Sequence, residues 1–278
     1  MDWKGREQSQ NVEDRRGSSG GGGGRTPGIL GIIVVLIGAY YGVDLSGLVG
    51  TPSMGTGSTQ TSQLKPQEEA ELNELARVVL ADTEKAWGSY FKQIGRTYTP
   101  TTLVLYNGGT STACGMGQSA MGPFYCPGDK KVYLDLDFYR DMQTKLNSAS
   151  DAAFAYVIAH EVGHHVQNLL GILPKVHRMQ QQVGKKEANA LSVKLELQAD
   201  CYAGIWGHYA VNNNIFKPED IPKAMLAAES VGDDRLQKDG QGYVVPDSFT
   251  HGSSEQRMAW LKRGLDSGDI NQCNTFGN

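Results

Sequence analysis

The sequence lacks a surplus of either charge. Its 26 Lys and Arg stand against 30 Asp and Glu in 278 residues, a formal net charge of −4. Such a balance has no electrostatic footprint for nucleic acid, and no nucleic-acid partner is expected. Cysteine is scarce, with four in the chain, and no two of them stand as Cys-x-x-Cys. That argues against a zinc site built from thiolates. No internal repeat is found, which excludes solenoids and propellers. No A-x-A site follows the first apolar run, so a cleaved signal peptide is not expected. The length fits one globular domain with appendages. An apolar fraction of 39% is enough for a real core and excludes a wholly disordered chain.

What is plentiful is glycine, 35 residues unevenly spread. Residues 1–25 mix five basic with four acidic side chains and end in a Gly/Ser run from Gly17 to Gly24, which cannot bury apolar area. This piece is expected to be a disordered cytoplasmic tail. Residues 26–43 carry no charge and are rich in Ile, Val and Leu, with Tyr40 and Tyr41 near one end. As a helix they span roughly 27 Å, enough for a bilayer core, so residues 26–44 are predicted to be a transmembrane helix. Lys4, Arg6, Arg15, Arg16 and Arg25 precede the span, and Lys65 is the first basic residue after it. The positive-inside rule then keeps the N-terminus in the cytoplasm and puts the rest outside. Residues 45–65 are predicted to be a flexible linker and 66–278 the folded domain.

Within that domain, apolar positions from Leu72 to Ile94 recur at helical spacing after Pro66 and an acidic first turn. Two β-rich runs follow, at 101–106 and 131–136, with a Gly-rich stretch between them. Helices are predicted at about 150–170, 186–211 and 219–231, and a last one from Ser253, where S-S-E-Q offers a capping box. The pattern is α+β and helix-rich, with a small sheet. All four cysteines lie beyond the apolar span, where an oxidising compartment would pair them. Of three possible connectivities, Cys114 with Cys126 and Cys201 with Cys273 is favoured, closing one local loop and pinning the C-terminal tail to a helix.

The chemistry is carried by AYVIAHEVGHHVQNLLG, in which His160, Glu161 and His164 make H-E-x-x-H. On a helix, positions i and i+4 share a face, so the two imidazoles can converge on one Zn²⁺. Glu161 projects beside the metal and can move a proton from water to a leaving amine. From the abundance of His and Glu, only about 0.006 accidental matches are expected in this length. A third ligand is needed, and KLELQADCYAGIW offers Glu196, with Asp200 one turn on to accept the N–H of a ligating imidazole. Glu187 competes for the third place but lies in a polar helix start. His165, His177 and His208 are read as structural or surface residues. His251 sits at an element boundary, where a donor could stabilise the oxyanion of a tetrahedral intermediate, and Arg257 follows within the next helix, where it could order the substrate.

HEVGH followed by E-L-Q-A-D resembles the gluzincin metallopeptidases. T-H-G-S-S-E-Q-R is similar to the T-H-P-x-x-x-x-R segment of their membrane-bound M48-type members, with Gly252 in place of the proline. From end to end the chain resembles the bacterial neutral zinc metallopeptidase family of single-pass membrane proteins, through Trp3–Arg6, Asn11–Gly17, GPFYCP, HEVGHHVQ and ELQADCYAGIW. The resemblance implies a zincin-like metallopeptidase domain with His160, His164 and Glu196 as zinc ligands, Glu161 as general base and Asp200 behind the ligands. The sequence is therefore expected to encode an inner-membrane zinc endopeptidase whose domain faces the periplasm and cleaves protein or peptide substrates of the envelope. An extended substrate is expected to add to an edge strand at KVYLDL, 131–136. The alternative is a zinc-stabilised envelope binding or assembly module without catalysis.

Overall fold

The structure, a computed structural model, describes residues 1–17 and 62–277. The predicted transmembrane helix and most of the predicted linker lie outside the described residues. Among those described, no helix is long and apolar enough to cross a membrane.

The order begins with strand β1 (Val12–Asp14) and helix α1 (Pro66–Gln93), which opens on Pro66 with Glu68 and Glu69 in its first turn and Lys92 in its last. These residues suit the two ends of the helix dipole. Strands β2 (Thr102–Leu105), β3 (Gly109–Thr112), β4 (Gly115–Gln118), β5 (Phe124–Cys126) and β6 (Lys131–Leu134) follow, then helix α2 (Phe138–Thr144). The rest is helical: α3 (Asp151–Leu169), α4 (Ile172–Gln180), α5 (Lys185–Asn212), α6 (Ile221–Ser230), α7 (Asp233–Gln241) and α8 (Ser254–Ser267). One sheet has the order β1-β2-β6-β5, parallel except for the β5/β6 pair, and β3 and β4 form a separate hairpin. The predicted helix-rich α+β class with small sheets is what folds. The predicted helices and the two β-rich runs are present with ends shifted by a few residues.

Residues 1–17 depart from expectation. They are not a disordered tail but part of the domain. Strand β1 pairs in parallel with β2, setting Val12 opposite Leu103. Trp3 is 4% exposed in the main core, and its indole N–H donates to Asp151 at 2.8 Å, on the first turn of α3. The charges taken as a cytoplasmic flank are docking groups: Arg6 donates to the carbonyls of Asn213 and Asn214, Arg15 to Thr110, and Arg16 pairs with Glu69 at 2.9 Å. A segment with few apolar residues can fold when its polar groups find buried or half-buried partners, and composition alone cannot reveal those partners. The last linker residues are docked too. Leu64 is buried, and Ser62 donates to Asp137.

Both favoured disulfides are present, Cys114–Cys126 and Cys201–Cys273. The first ties the β3–β4 hairpin to the end of β5, and the second ties the C-terminal residues to α5.

Glycines set how closely the central helices approach. A Cβ on Gly163 would stand 3.0 Å from the carbonyl oxygen of Ala199, tighter than ordinary contact, so glycine there lets α5 lie against α3 at this spacing without a shift. Gly204 of α5 and Gly264 of α8 likewise face backbone of the opposite helix, with no room for a side chain on either.

Candidate metal centre

Helix α3 starts as its sequence predicts. Ser150 accepts from the backbone N–H of Ala153 at 3.0 Å, and Gly171 beyond the other end takes φ 79°. Its 3.6-residue period puts His160 and His164 on one face, with ring centroids 4.8 Å apart. Close packing at Gly163 brings Glu196 of α5 opposite them. His160 Nε2 lies 3.1 Å from Glu196 Oε2, and His164 Nε2 lies 3.3 Å from Glu196 Oε1. One donor atom of each residue falls within 4.8 Å of the other two. Glu187, the competing ligand, is exposed at the start of α5 and is not in this group.

The donor set fits a divalent cation. His160 Nδ1 is 2.8 Å from Asp200 Oδ1, and His164 Nδ1 is 2.8 Å from Gln167 Oε1. Both partners are acceptors, so Nδ1 carries the proton in a neutral ring and Nε2 presents a lone pair. Those lone pairs face the lone pairs of Glu196. Without a cation that arrangement needs protonated rings, and with one it is a ligand triad. Donors on a tetrahedral zinc lie roughly 3.3 Å apart, close to the spacings seen. The charges agree as well. Glu161, Glu196 and Asp200 are three acids, and Arg257 is the one guanidinium beside them among the described residues. A dication closes that balance.

Asp200 is the most heavily hydrogen-bonded of these groups. It is fully buried and accepts from Tyr156 Oη at 2.6 Å, from His160, and from Arg257 through Nε at 2.8 Å and Nη2 at 3.0 Å. Burial alone would raise its pKa, but Arg257 foremost and His160 next hold it below the usual carboxylate range. Burial also works against a charged His160, yet Asp200 and Glu196 outweigh it and push that imidazole up to about 10 in the metal-free protein. Arg257, expected as a substrate or oxyanion contact, lines the cleft and is engaged there with Asp200. The side chain is 4% exposed, and its fork grips Asp200 in two-point fashion because α8 is drawn against α5 at Gly204 and Gly264.

Glu161 is buried beside the triad, and its carboxylate accepts no hydrogen bond from the described residues. Burial raises its pKa from the ordinary value, with His160 and His164 pulling the other way. A carboxylate kept bare in a cleft is a proton acceptor without competition from the protein.

His251 lines the same cleft, a cavity of about 160 Å³ whose walls also include Phe124, Tyr125 and Leu173. Its Nδ1 is 3.2 Å from Asp233 Oδ1, and its backbone N–H donates to Asp233 Oδ2 at 2.6 Å. Burial favours the neutral ring, but Asp233 overrides it and lifts the pKa above the ordinary histidine value. The next residue, Gly252, has φ 88°, a conformation that the proline of T-H-P cannot adopt. Asp233, Tyr156 and Gln167 escaped the sequence reading. The one local signal was an acid at the first position of α7, common in helix starts of every kind.

The expected substrate edge is also corrected. KVYLDL contributes β6, which is enclosed between β2 and β5. The strand with an open outer edge at the cleft is β5, and Phe124 and Tyr125 on it line the cavity. His165, read as structural, is fully buried and holds β5 against α3, with Nδ1 3.0 Å from Tyr125 Oη and Nε2 2.7 Å from Thr99 O.

The family described as "Putative neutral zinc metallopeptidase" matches residues 1–276. The chain is 54% identical over 287 residues to the uncharacterized protein YpfJ of Escherichia coli, covering 100% of this chain and 99% of that one. It is 40% identical over 219 residues to the uncharacterized protein Rv2575 of Mycobacterium tuberculosis, covering 74% of this chain and 73% of that one. No solved structure matches.

Proposed function

The chain belongs to the neutral zinc metallopeptidase family, and from that premise we propose that it is a zinc-dependent endopeptidase with Glu161 as general base. One observation carries the reading. Two imidazole Nε2 atoms and a carboxylate converge while the rings' proton-bearing Nδ1 atoms turn away toward Asp200 and Gln167, and Glu161 stands bare in the same cleft. A structural metal site has no use for such a base.

A zinc ion held by His160, His164 and Glu196 would supply a Lewis acid that polarises the scissile carbonyl and acidifies a water. Glu161 takes the proton of the attacking water, holds it on its carboxylate and passes it to the leaving amine. His251, held by Asp233, donates from Nε2 to the oxyanion that develops on the former carbonyl. Asp200 keeps the tautomer of His160, and Arg257 and Tyr156 keep Asp200 in place. An extended peptide adds to the outer edge of β5 through main-chain hydrogen bonds, which favours protein segments without a strict sequence. The protein is expected to bind one zinc per chain, and a chelator should stop cleavage of an unfolded labelled protein until zinc is returned. Metal-free protein that cleaves at the full rate would remove the proposal.

We place the domain outside the cytoplasm, where its two disulfides persist. The expected cytoplasmic N-terminus is replaced in this reading, because residues 1–17 are built into that same domain and share its side. A cysteine introduced at the exposed Gln8 should react with a membrane-impermeant thiol reagent in intact cells. Labelling only after lysis would put the segment inside.

A further inference from the structure

The polar groups of the cleft divide into those already engaged and those left open. Tyr125, Tyr156, Arg257, His160 and His164 all have partners in the protein. Gln180 also has partners, donating to Ala188 O and Ser192 Oγ. Four groups remain among the described lining residues: the carboxylate of Glu161, Nε2 of His251, the acceptor Oε1 of Gln180 and the imidazole of His177, which among the last two alone offers a donor. The proposed mechanism uses the first two and leaves His177 without a task.

His177 lies on α4, whose cleft face is made by Leu173, His177 and Gln180 at i, i+4 and i+7. The side chain is half-buried, and no described residue makes a hydrogen bond or ring contact with it. It is not one of the converging donors of the metal centre. Burial first, and the neighbouring His164 second, hold its pKa below the ordinary value. A neutral imidazole there carries one N–H and one lone pair for a ligand in the cleft it lines. A polar group with no partner in an otherwise mostly apolar cavity is where a ligand gains orientation.

We propose that His177 is a substrate-binding residue, its imidazole N–H holding an acceptor oxygen of the bound peptide beside the scissile bond. The proposal rests on the peptidase reading and names a contact within it. The oxygen belongs either to the peptide backbone or to a flanking side chain, and the two sources separate by experiment.

The test uses the full zinc-loaded chain and quenched fluorescent peptides that vary as Ala, Leu, Gln or Glu beside the cleaved bond. His177→Phe keeps the ring volume and removes the N–H. It should lower kcat/KM roughly tenfold, chiefly through KM, with zinc content and Tm unchanged. His177→Gln keeps a donor and should recover most of the loss. An equal fall across the series assigns the contact to the backbone, and a fall confined to the Gln and Glu peptides assigns it to the side chain. A kcat/KM within about twofold of wild type for every peptide overturns the proposal. So does loss of zinc from His177→Phe, which would make His177 a ligand. Binding of the same peptides to Glu161→Gln, with and without His177→Phe, reads the contact without turnover. Failure of the peptidase reading, seen as wild type that cleaves none of them, thus stays distinguishable from failure of this contact.

Discussion

Glu161→Gln is expected to abolish peptide cleavage while leaving one zinc bound per chain. An amide has nearly the volume of the carboxylate but cannot take a proton from water, and a positioned general base contributes typically 10²–10⁴-fold to rate. The loss should fall on kcat rather than KM, because Glu161 touches the attacking water and not the peptide as a whole. Zinc should be retained because the three converging donors come from His160, His164 and Glu196. Stability should move the other way. Glu161 is buried without a hydrogen-bond donor, and that burial disfavours its charge. Neutralising it removes a desolvation cost, so Tm of the variant should equal or exceed that of wild type. A variant that turns over peptides at the wild-type rate would defeat the hydrolase reading. The zinc-stabilised binding module would then be the better account of the same metal centre.

The second large effect is expected at Arg257→Met. The guanidinium makes a two-point contact with the fully buried Asp200, and removing one partner of a buried pair costs about 3–5 kcal/mol. In a domain of this size that is a fall of roughly 10 °C in Tm. Asp200 would then lose its fixed position, and with it the hold on the Nδ1–H of His160. Loss of a partner behind a ligand typically weakens metal affinity about 10–100-fold. Arg257→Lys keeps the charge without the planar fork, so it should recover part of the stability and less of the zinc affinity. Calorimetry of the zinc-loaded protein and a competitive zinc titration read the two effects separately. Unchanged melting and unchanged zinc affinity in Arg257→Met would show that the Asp200 chain has no hold on the metal centre.

The elements and residues open to sequence reading were those whose causes are local. His160, Glu161 and His164 lie within five residues, and helical geometry alone puts the two histidines on one face. Glu196 and Asp200 were legible because acids set one turn apart in an apolar helix need a cation or a donor. The capping box at Ser253 and Gln256 was legible for the same reason, its partners being three residues apart. Strand β1 was not, since VED carries no β-rich alternation and its partner β2 is some ninety residues away. Asp233 and Tyr156 are ordinary in their local settings and acquire meaning only from His251 and Asp200.

What the sequence by itself determined is therefore the helix that carries His160, Glu161 and His164, the acid Glu196 that joins them and the helix-rich class, since each follows from spacing along one chain segment. The tertiary structure alone decided four things: Arg257 grips Asp200, β5 rather than β6 offers the open edge, the first seventeen residues belong to the domain, and His177 faces the cleft with no partner among the described residues. The physical reason is common to all four. Each depends on how closely separate elements approach, and that closeness is set by contacts such as Gly163 against Ala199 and Gly264 against Cys201, between residues far apart in the chain.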